Sequence, residues 1–262
     1  MKRWFLSAAI IAALAGCATT TSSTGRKQFV GGVSQEQLNQ LGAQAFTEAK
    51  SKGPLSNDAK QNAYVRCVVN ALVRQLPAQN RSVAWETAVF ANKEPNAFAL
   101  PGGKVGVNTG IFTVARNQDQ LAAVLAHEIG HVVEHHHDER ITRQMGASGA
   151  VQLLGALAGD YGALATQGGS VLAQTGFLLP GSRAQETEAD VVGQRLMAQA
   201  GFDPAQAVNL WQNMIAAGSS RPPQWLSTHP DPQARIQELR SRAGTLAPNY
   251  QQAHAGGGPK CG

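Results

Sequence analysis

Apolar positions recur along this chain at two different periods, and the switches between them mark out its elements. Over residues 34–51, Leu38, Leu41 and Phe46 fall on one side of a helix, and Ser34 with Gln37 has the form of a capping box. A second helix is expected over 58–76, where Val65, Val69, Leu72 and Leu76 keep helical spacing. Over 82–90 the period drops to two, with Val83, Trp85, Thr87 and Val89 alternating, which suits a strand. Residues 97–100 and 104–108 flank Pro101-Gly102-Gly103 and form a candidate hairpin.

The helical period then returns. Asn117 and Gln120 are placed to cap a long helix over 118–144, apolar at Leu121, Val124, Leu125, Ile129 and Val132. Residues 146–180 are rich in Ala, Gly and Leu but are interrupted by Asp160, Gln167 and Gly168-Gly169, so they predict helical lid segments and not a bilayer span. Another helix is expected over 184–200, stopping at Gly201, and Asp203-Pro204 and Asp231-Pro232 each carry the cap-then-proline signature of a helix start. Beyond Gly244 the chain offers little core material, and 244–262 is expected to be a flexible tail. The class is α+β and mostly helical, with a small β-sheet beside the 118–144 helix, in one domain over 34–243.

The N-terminus changes this picture. Lys2 and Arg3 precede the apolar run from Trp4 to Ala13, a basic start and a short apolar stretch that predict an export signal over 1–16. Ala15-Gly16-Cys17 resembles the lipobox of bacterial lipoproteins; by that resemblance Cys17 is the lipidation site, the membrane is a partner through the lipid anchor, and 17–33 is a tether. Ala18 is not the acidic retention signal of enteric lipoproteins, so the resemblance favours the periplasmic side of the outer membrane over the inner one. Without residues 1–16 the net charge falls from +5 to +3, too mild for a nucleic-acid partner. Cys67 and Cys261 are left either to pair in an oxidising compartment or to stay free.

Candidate chemistry lies in His127-Glu128-Ile129-Gly130-His131. Residues four apart lie nearly on one helix face, so both imidazoles can meet one metal ion, with Glu128 beside them as a base that does not ligate. One Zn2+ per chain suits nitrogen and carboxylate ligands that leave a position open. The third ligand must come from elsewhere. Ser182 to Asp190 opens a helix with three carboxylates, of which Glu186 and Asp190 share a face; on its own this stretch also reads as an acidic first turn facing solvent. His137 falls ten residues after His127, where the metzincin pattern has its third ligand, but Glu134 replaces the glycine at which that pattern turns back. Glu134 favours continuing the helix, so the cluster His135-His136-His137 reads as a solvated helix end or a secondary metal contact.

Together these segments resemble the HtpX and CAAX-prenyl-protease family of zinc metallopeptidases. The resemblance rests on His127 to His131, on Glu186 to Asp190, and on Asn96-Ala97-Phe98-Ala99-Leu100-Pro101-Gly102-Gly103 ahead of the zinc helix. It implies a zincin-like metallopeptidase domain, Glu186 as third ligand and Asp190 as acceptor for a ligand histidine. It further implies that polypeptide substrates lie along Asn96, Ala97 and Phe98 as a guest strand. Thr228-His229-Pro230, followed by Arg235-Ile236, is a further family-like piece, in which His229 is an oxyanion stabiliser, an occupant of the open zinc position, or a surface histidine. The implied activity is quality-control cleavage of unfolded or misassembled envelope proteins with Glu128 as general base, with envelope assembly machinery as a candidate partner. The alternative is a lipoprotein chaperone or binding module whose zinc is structural or latent.

Overall fold

The computed structural model describes residues 18–148, 177, 181–218, 225, 228–229 and 232–262. Two short strands, β1 (Ala18–Thr21) and β2 (Lys27–Val30), pair antiparallel with Ala18 opposite Val30. The stretch expected as a slack tether is therefore folded back on the domain. Arg26 reaches Glu139 and Glu188 at 2.8 and 2.7 Å, Ser23 donates to Glu134, and Gln28 is buried. Ser and Thr residues that look like linker in sequence act here as hydrogen-bond donors to distant carboxylates.

Helix α1 (Gln35–Lys52) opens with the Ser34–Gln37 capping box, and α2 (Ala59–Val73) is capped by Asp58. After one turn, α3 (Ala78–Arg81), comes the sheet: β3 (Glu86–Phe90), β4 (Ala97–Leu100) and β5 (Lys104–Asn108). The order is β3-β5-β4, with β3 parallel and β4 antiparallel to β5. The period-two alternation sends Val89, Val105, Val107, Ala97 and Ala99 into the main core, while Ala88, Phe90 and Leu100 meet α1 in a second cluster. Among the described residues β4 has a strand neighbour on one side alone.

A 3-10 turn (Thr109–Thr113) leads into α4 (Gln118–Val133), whose Asn117 cap accepts from the Gln120 amide. The helix is buried nearly all round, as expected of an element enclosed by a sheet and other helices. It does not run on to residue 144. Glu134 is drawn inside, where Ser23 and Gln28 of the hairpin bond its carboxylate and its carbonyl, and His135 takes φ +54° before α5 (His136–Ser148) begins. These tertiary hydrogen bonds override a helix-forming sequence.

Helix α6 (Arg183–Ala200) starts at the Ser182–Gln185 capping box and stops at Gly201 with φ +84°. It crosses α4 closely because both helices lack a side chain at the crossing. A Cβ on Gly130 would lie 3.0 Å from the Ala189 carbonyl oxygen, and one on Gly193 would lie 3.0 Å from the His127 amide nitrogen. Helices α7 (Gln206–Ala217) and α8 (Pro232–Ala255) complete the main core. The expected flexible tail is instead mostly helix. Its end is fastened by a Cys67–Cys261 disulfide with Cα atoms 5.5 Å apart and by Gln118, which bonds both Pro259 and Cys261. The expected lid over 146–180 lies outside the described residues, apart from its first three residues in α5 and Phe177, as do the export signal and Cys17. Among the described residues no helix is long and apolar enough to cross a membrane.

Candidate metal centre and active-site cleft

The α4–α6 crossing sets the geometry of the site. On α4, His127 and His131 stand one turn apart with their Nε2 atoms 3.1 Å from each other, both side chains buried. From α6, Glu186 brings its carboxylate oxygens to 3.4 and 3.5 Å from those two nitrogens. His229, ahead of α8, joins them, so that one ligand atom from each of the four residues lies within 4.8 Å of the others.

Two features test whether this group suits a metal ion. Glu186 Oε1 is the one fully buried side-chain nitrogen or oxygen, among the described residues, without a hydrogen-bond partner. A buried polar atom left unsatisfied costs about 1–3 kcal/mol, so its retention points to a partner of another kind. The two imidazole Nε2 atoms also face each other although each ring has its Nδ1 engaged elsewhere: His127 with Asp190 at 2.9 Å and His131 with His136 at 2.8 Å. Converging lone pairs from nitrogen and carboxylate donors fit a divalent cation.

Arg235 on α8 fixes the carboxylates. It donates to both Asp190 oxygens at 2.7 Å and to Glu186 Oε2 at 2.9 Å, with its guanidinium 4.2 Å from the Trp211 ring centroid. Burial would raise the Asp190 carboxyl, but Arg235 and His127 hold it far below the carboxylate range. Glu186 is likewise raised by burial and brought down to about 2 by His229, His127 and Arg235. His127 is pulled down by burial and Arg235, yet its bonds to Asp190 and Glu186 raise it to about 9. His131 is pushed well below its usual value by burial and by its imidazole neighbours. The site therefore keeps its carboxylates ionised and His131 neutral, and a divalent cation bound there would displace the proton that these carboxylates hold on His127.

Glu128 lies beside the donor group without belonging to it. Its Oε1 accepts from Trp225 Nε1 at 3.1 Å and stands 3.3 Å from His229 Nε2. Burial alone would raise this carboxyl, but His229, His127 and the Trp225 bond lower it. His229 is oriented by its own Nδ1, 2.9 Å from the Trp225 carbonyl. Asn96, Ala97, Phe98, Glu128, Glu186 and His229 all line one narrow cleft. The Phe98 ring itself turns to the far side of the sheet, over Gly106 and against Phe46 and Phe90, and its backbone stands opposite Gly106 in the β4–β5 ladder. The main-chain groups of β4 next to the cleft therefore belong to Ala97 and Ala99.

The histidine cluster differs from its sequence reading. His136 and His137 are buried, not solvated, and neither is in the donor group. His137 Nε2 donates to the Ala99 carbonyl at 3.0 Å, which ties α5 to β4. Sequence reasoning gave no role to Arg235, Trp225 or Glu188. The available signals were an arginine six residues after His229 and a third carboxylate inside the Glu186 to Asp190 segment.

The profile of Peptidase family M48 matches residues 59–243. The chain is 43% identical over 157 residues to the mitochondrial metalloendopeptidase OMA1 of Schizosaccharomyces pombe, covering 59% of this chain and 45% of that one. It is 31% identical over 229 residues to the beta-barrel assembly-enhancing protease of Escherichia coli K12, covering 83% of this chain and 46% of that one. The chain thus spans somewhat under half the length of these relatives.

Proposed function

The chain belongs to peptidase family M48, and from that premise we propose that it is a zinc-dependent endopeptidase of the bacterial envelope that cleaves unfolded or misassembled polypeptides. The observation that carries this reading is the buried set His127, His131 and Glu186, with an unpartnered carboxylate oxygen directed into it and Glu128 alongside. The reading extends to the periplasmic side of the outer membrane, with a lipid on Cys17. The lipobox-like Ala15-Gly16-Cys17 and the similarity to a beta-barrel assembly-enhancing protease support it, and the latter makes envelope assembly machinery a candidate partner.

Held by His127, His131 and Glu186, Zn2+ supplies Lewis acidity, lowering the pKa of water and polarising a carbonyl. Glu128, kept ionised by His229 and Trp225, takes the proton from the attacking water and passes it to the leaving amine. His229 stands against Glu128 where it can donate to a developing oxyanion. Among the described residues β4 has one edge without a strand neighbour, where an extended substrate could add as a strand through the backbone of Ala97. The neighbouring groups are already engaged: the Asn96 carbonyl is bonded by Asn108, Phe98 stands opposite Gly106 in β5, and the Ala99 carbonyl is bonded by His137.

A second reading, a binding or chaperone module with latent zinc, draws on His229 being the fourth member of the donor group. Cleavage of an unfolded protein by wild type and Glu128→Gln separates the two. The protease reading expects a loss of roughly 100- to 10,000-fold in the variant with metal retained. Equal activity removes Glu128 as the base, and inactivity of both proteins favours the binding module.

A further inference from the structure

His131 ends the buried stretch of α4, and five residues later the chain returns to it. On a continuous helix residue 136 would lie about 140° further round the axis and a turn beyond. Here His135 adopts φ +54°, the one non-glycine residue among those described with a positive φ, and the turn it makes sets the His136 ring 4.9 Å from that of His131. A left-handed conformation outside glycine is uncommon and persists where surrounding contacts enforce it.

The hydrogen bonds run in one direction. His131 Nε2 faces His127 and Glu186, so a lone pair directed there requires the proton on Nδ1. That N–H donates to His136 Nδ1 at 2.8 Å, which must then be the acceptor. His136 therefore carries its own proton on Nε2 and donates it to Glu188 Oε2, also at 2.8 Å. Glu188 is held in turn by the N-terminal hairpin, through Thr24 Oγ1 and through Arg26 Nε at 2.9 Å. His136 is fully buried and Glu188 nearly so.

We propose that His136 is a positioning residue for His131, locked by Glu188 and the β1–β2 hairpin, so that the N-terminal segment forms part of the support of the metal centre. This deepens the reading of a metal site at His127, His131 and Glu186 and rests on it. His127 has its carboxylate support in Asp190; the structure assigns the matching support of His131 to a histidine backed by a carboxylate.

The test is the Zn2+ affinity of the full chain, measured by competition with a chromogenic chelator. His136→Leu removes the acceptor and is expected to weaken Zn2+ binding roughly 10- to 100-fold, and Glu188→Ala to act in the same direction. His136→Asn, which puts a carbonyl oxygen near the place of Nδ1, is expected to restore most of the loss. A merely structural role would not produce that rescue. Nitrogen NMR of the Zn2+-loaded wild type should show His131 protonated at Nδ1, and melting of the metal-free variants checks that each folds. Should His136→Leu misfold, Glu188→Gln and His136→Asn carry the comparison. Wild-type affinity in His136→Leu, or a His131 protonated at Nε2, overturns this inference alone. A wild type that takes up no Zn2+ overturns the metal centre and this inference with it.

Discussion

Replacing Arg235 by leucine tests the electrostatic frame of the site most directly. The guanidinium is 3% exposed and makes three charged hydrogen bonds, two of 2.7 Å to Asp190 and one of 2.9 Å to Glu186. Bonds to charged groups are each worth about 1.5–3 kcal/mol, but these three share one donor group and do not add. Without Arg235, Glu186 keeps only His127, 3.4 Å from its Oε2, and Asp190 keeps His127 alone. Breaking a buried ion pair from one side typically costs about 3–5 kcal/mol. For a domain of this size that is a fall in Tm of roughly 6–20 °C in the metal-free protein. Bound Zn2+ replaces part of the missing positive charge, so the gap between variant and wild type should narrow when excess Zn2+ is added. Thermal melts of both proteins, with chelator and with Zn2+, read both effects. A metal-free variant within about 1 kcal/mol of wild type would refute the argument that Arg235 neutralises the carboxylate pair.

Three other outcomes follow from the geometry. Burial raises the Glu188 carboxyl, but His136, Thr24 and Arg26 outweigh it and lower it to about 2. A depressed carboxyl stabilises the fold above its unfolded pKa and loses that contribution as pH falls through the folded value. Some 3 kcal/mol should therefore vanish between about pH 4.5 and 2, and Glu188→Gln should flatten that limb of an acid-denaturation curve. Reducing the Cys67–Cys261 disulfide, which spans 194 residues, should destabilise the chain by about 2–5 kcal/mol, read as a lower Tm with reductant; an unchanged melt means that the C-terminal clamp contributes nothing. Gly193→Ala forces α6 away from the His127 backbone and should cost about 1–3 kcal/mol along with metal affinity; a variant with wild-type Tm and affinity shows that the close crossing is not required.

Much of this was readable from local pattern. The Ser34–Gln37 capping box, the Asn117 cap, the Gly201 stop and the β4–β5 hairpin each depend on residues only a few positions apart, and each lies where the local pattern puts it. The approach of Glu186 to His127 and His131 was suggested only by family resemblance, because it depends on how α4 and α6 cross. Residues that sequence reasoning left as solvated or slack turn out to be buried or docked through distant partners. Arg26 meets Glu188 across 162 positions, Ser23 meets Glu134 across 111, and Cys67 meets Cys261 across 194. No local period encodes such pairs, and they decide where α4 ends, how the N-terminal strands dock and why the last residues are ordered.

The docking of β1 has a consequence for reach. The first strand begins at Ala18, next in sequence to Cys17. An extended residue advances the chain by about 3.3–3.6 Å, so acyl groups at Cys17 would sit within a few ångströms of folded protein. A molecule carrying the proposed lipid on Cys17 would have no leash. It would ride flush on the headgroups, sweeping a layer about one domain deep, and a polypeptide would come within its grasp by lingering at the bilayer surface.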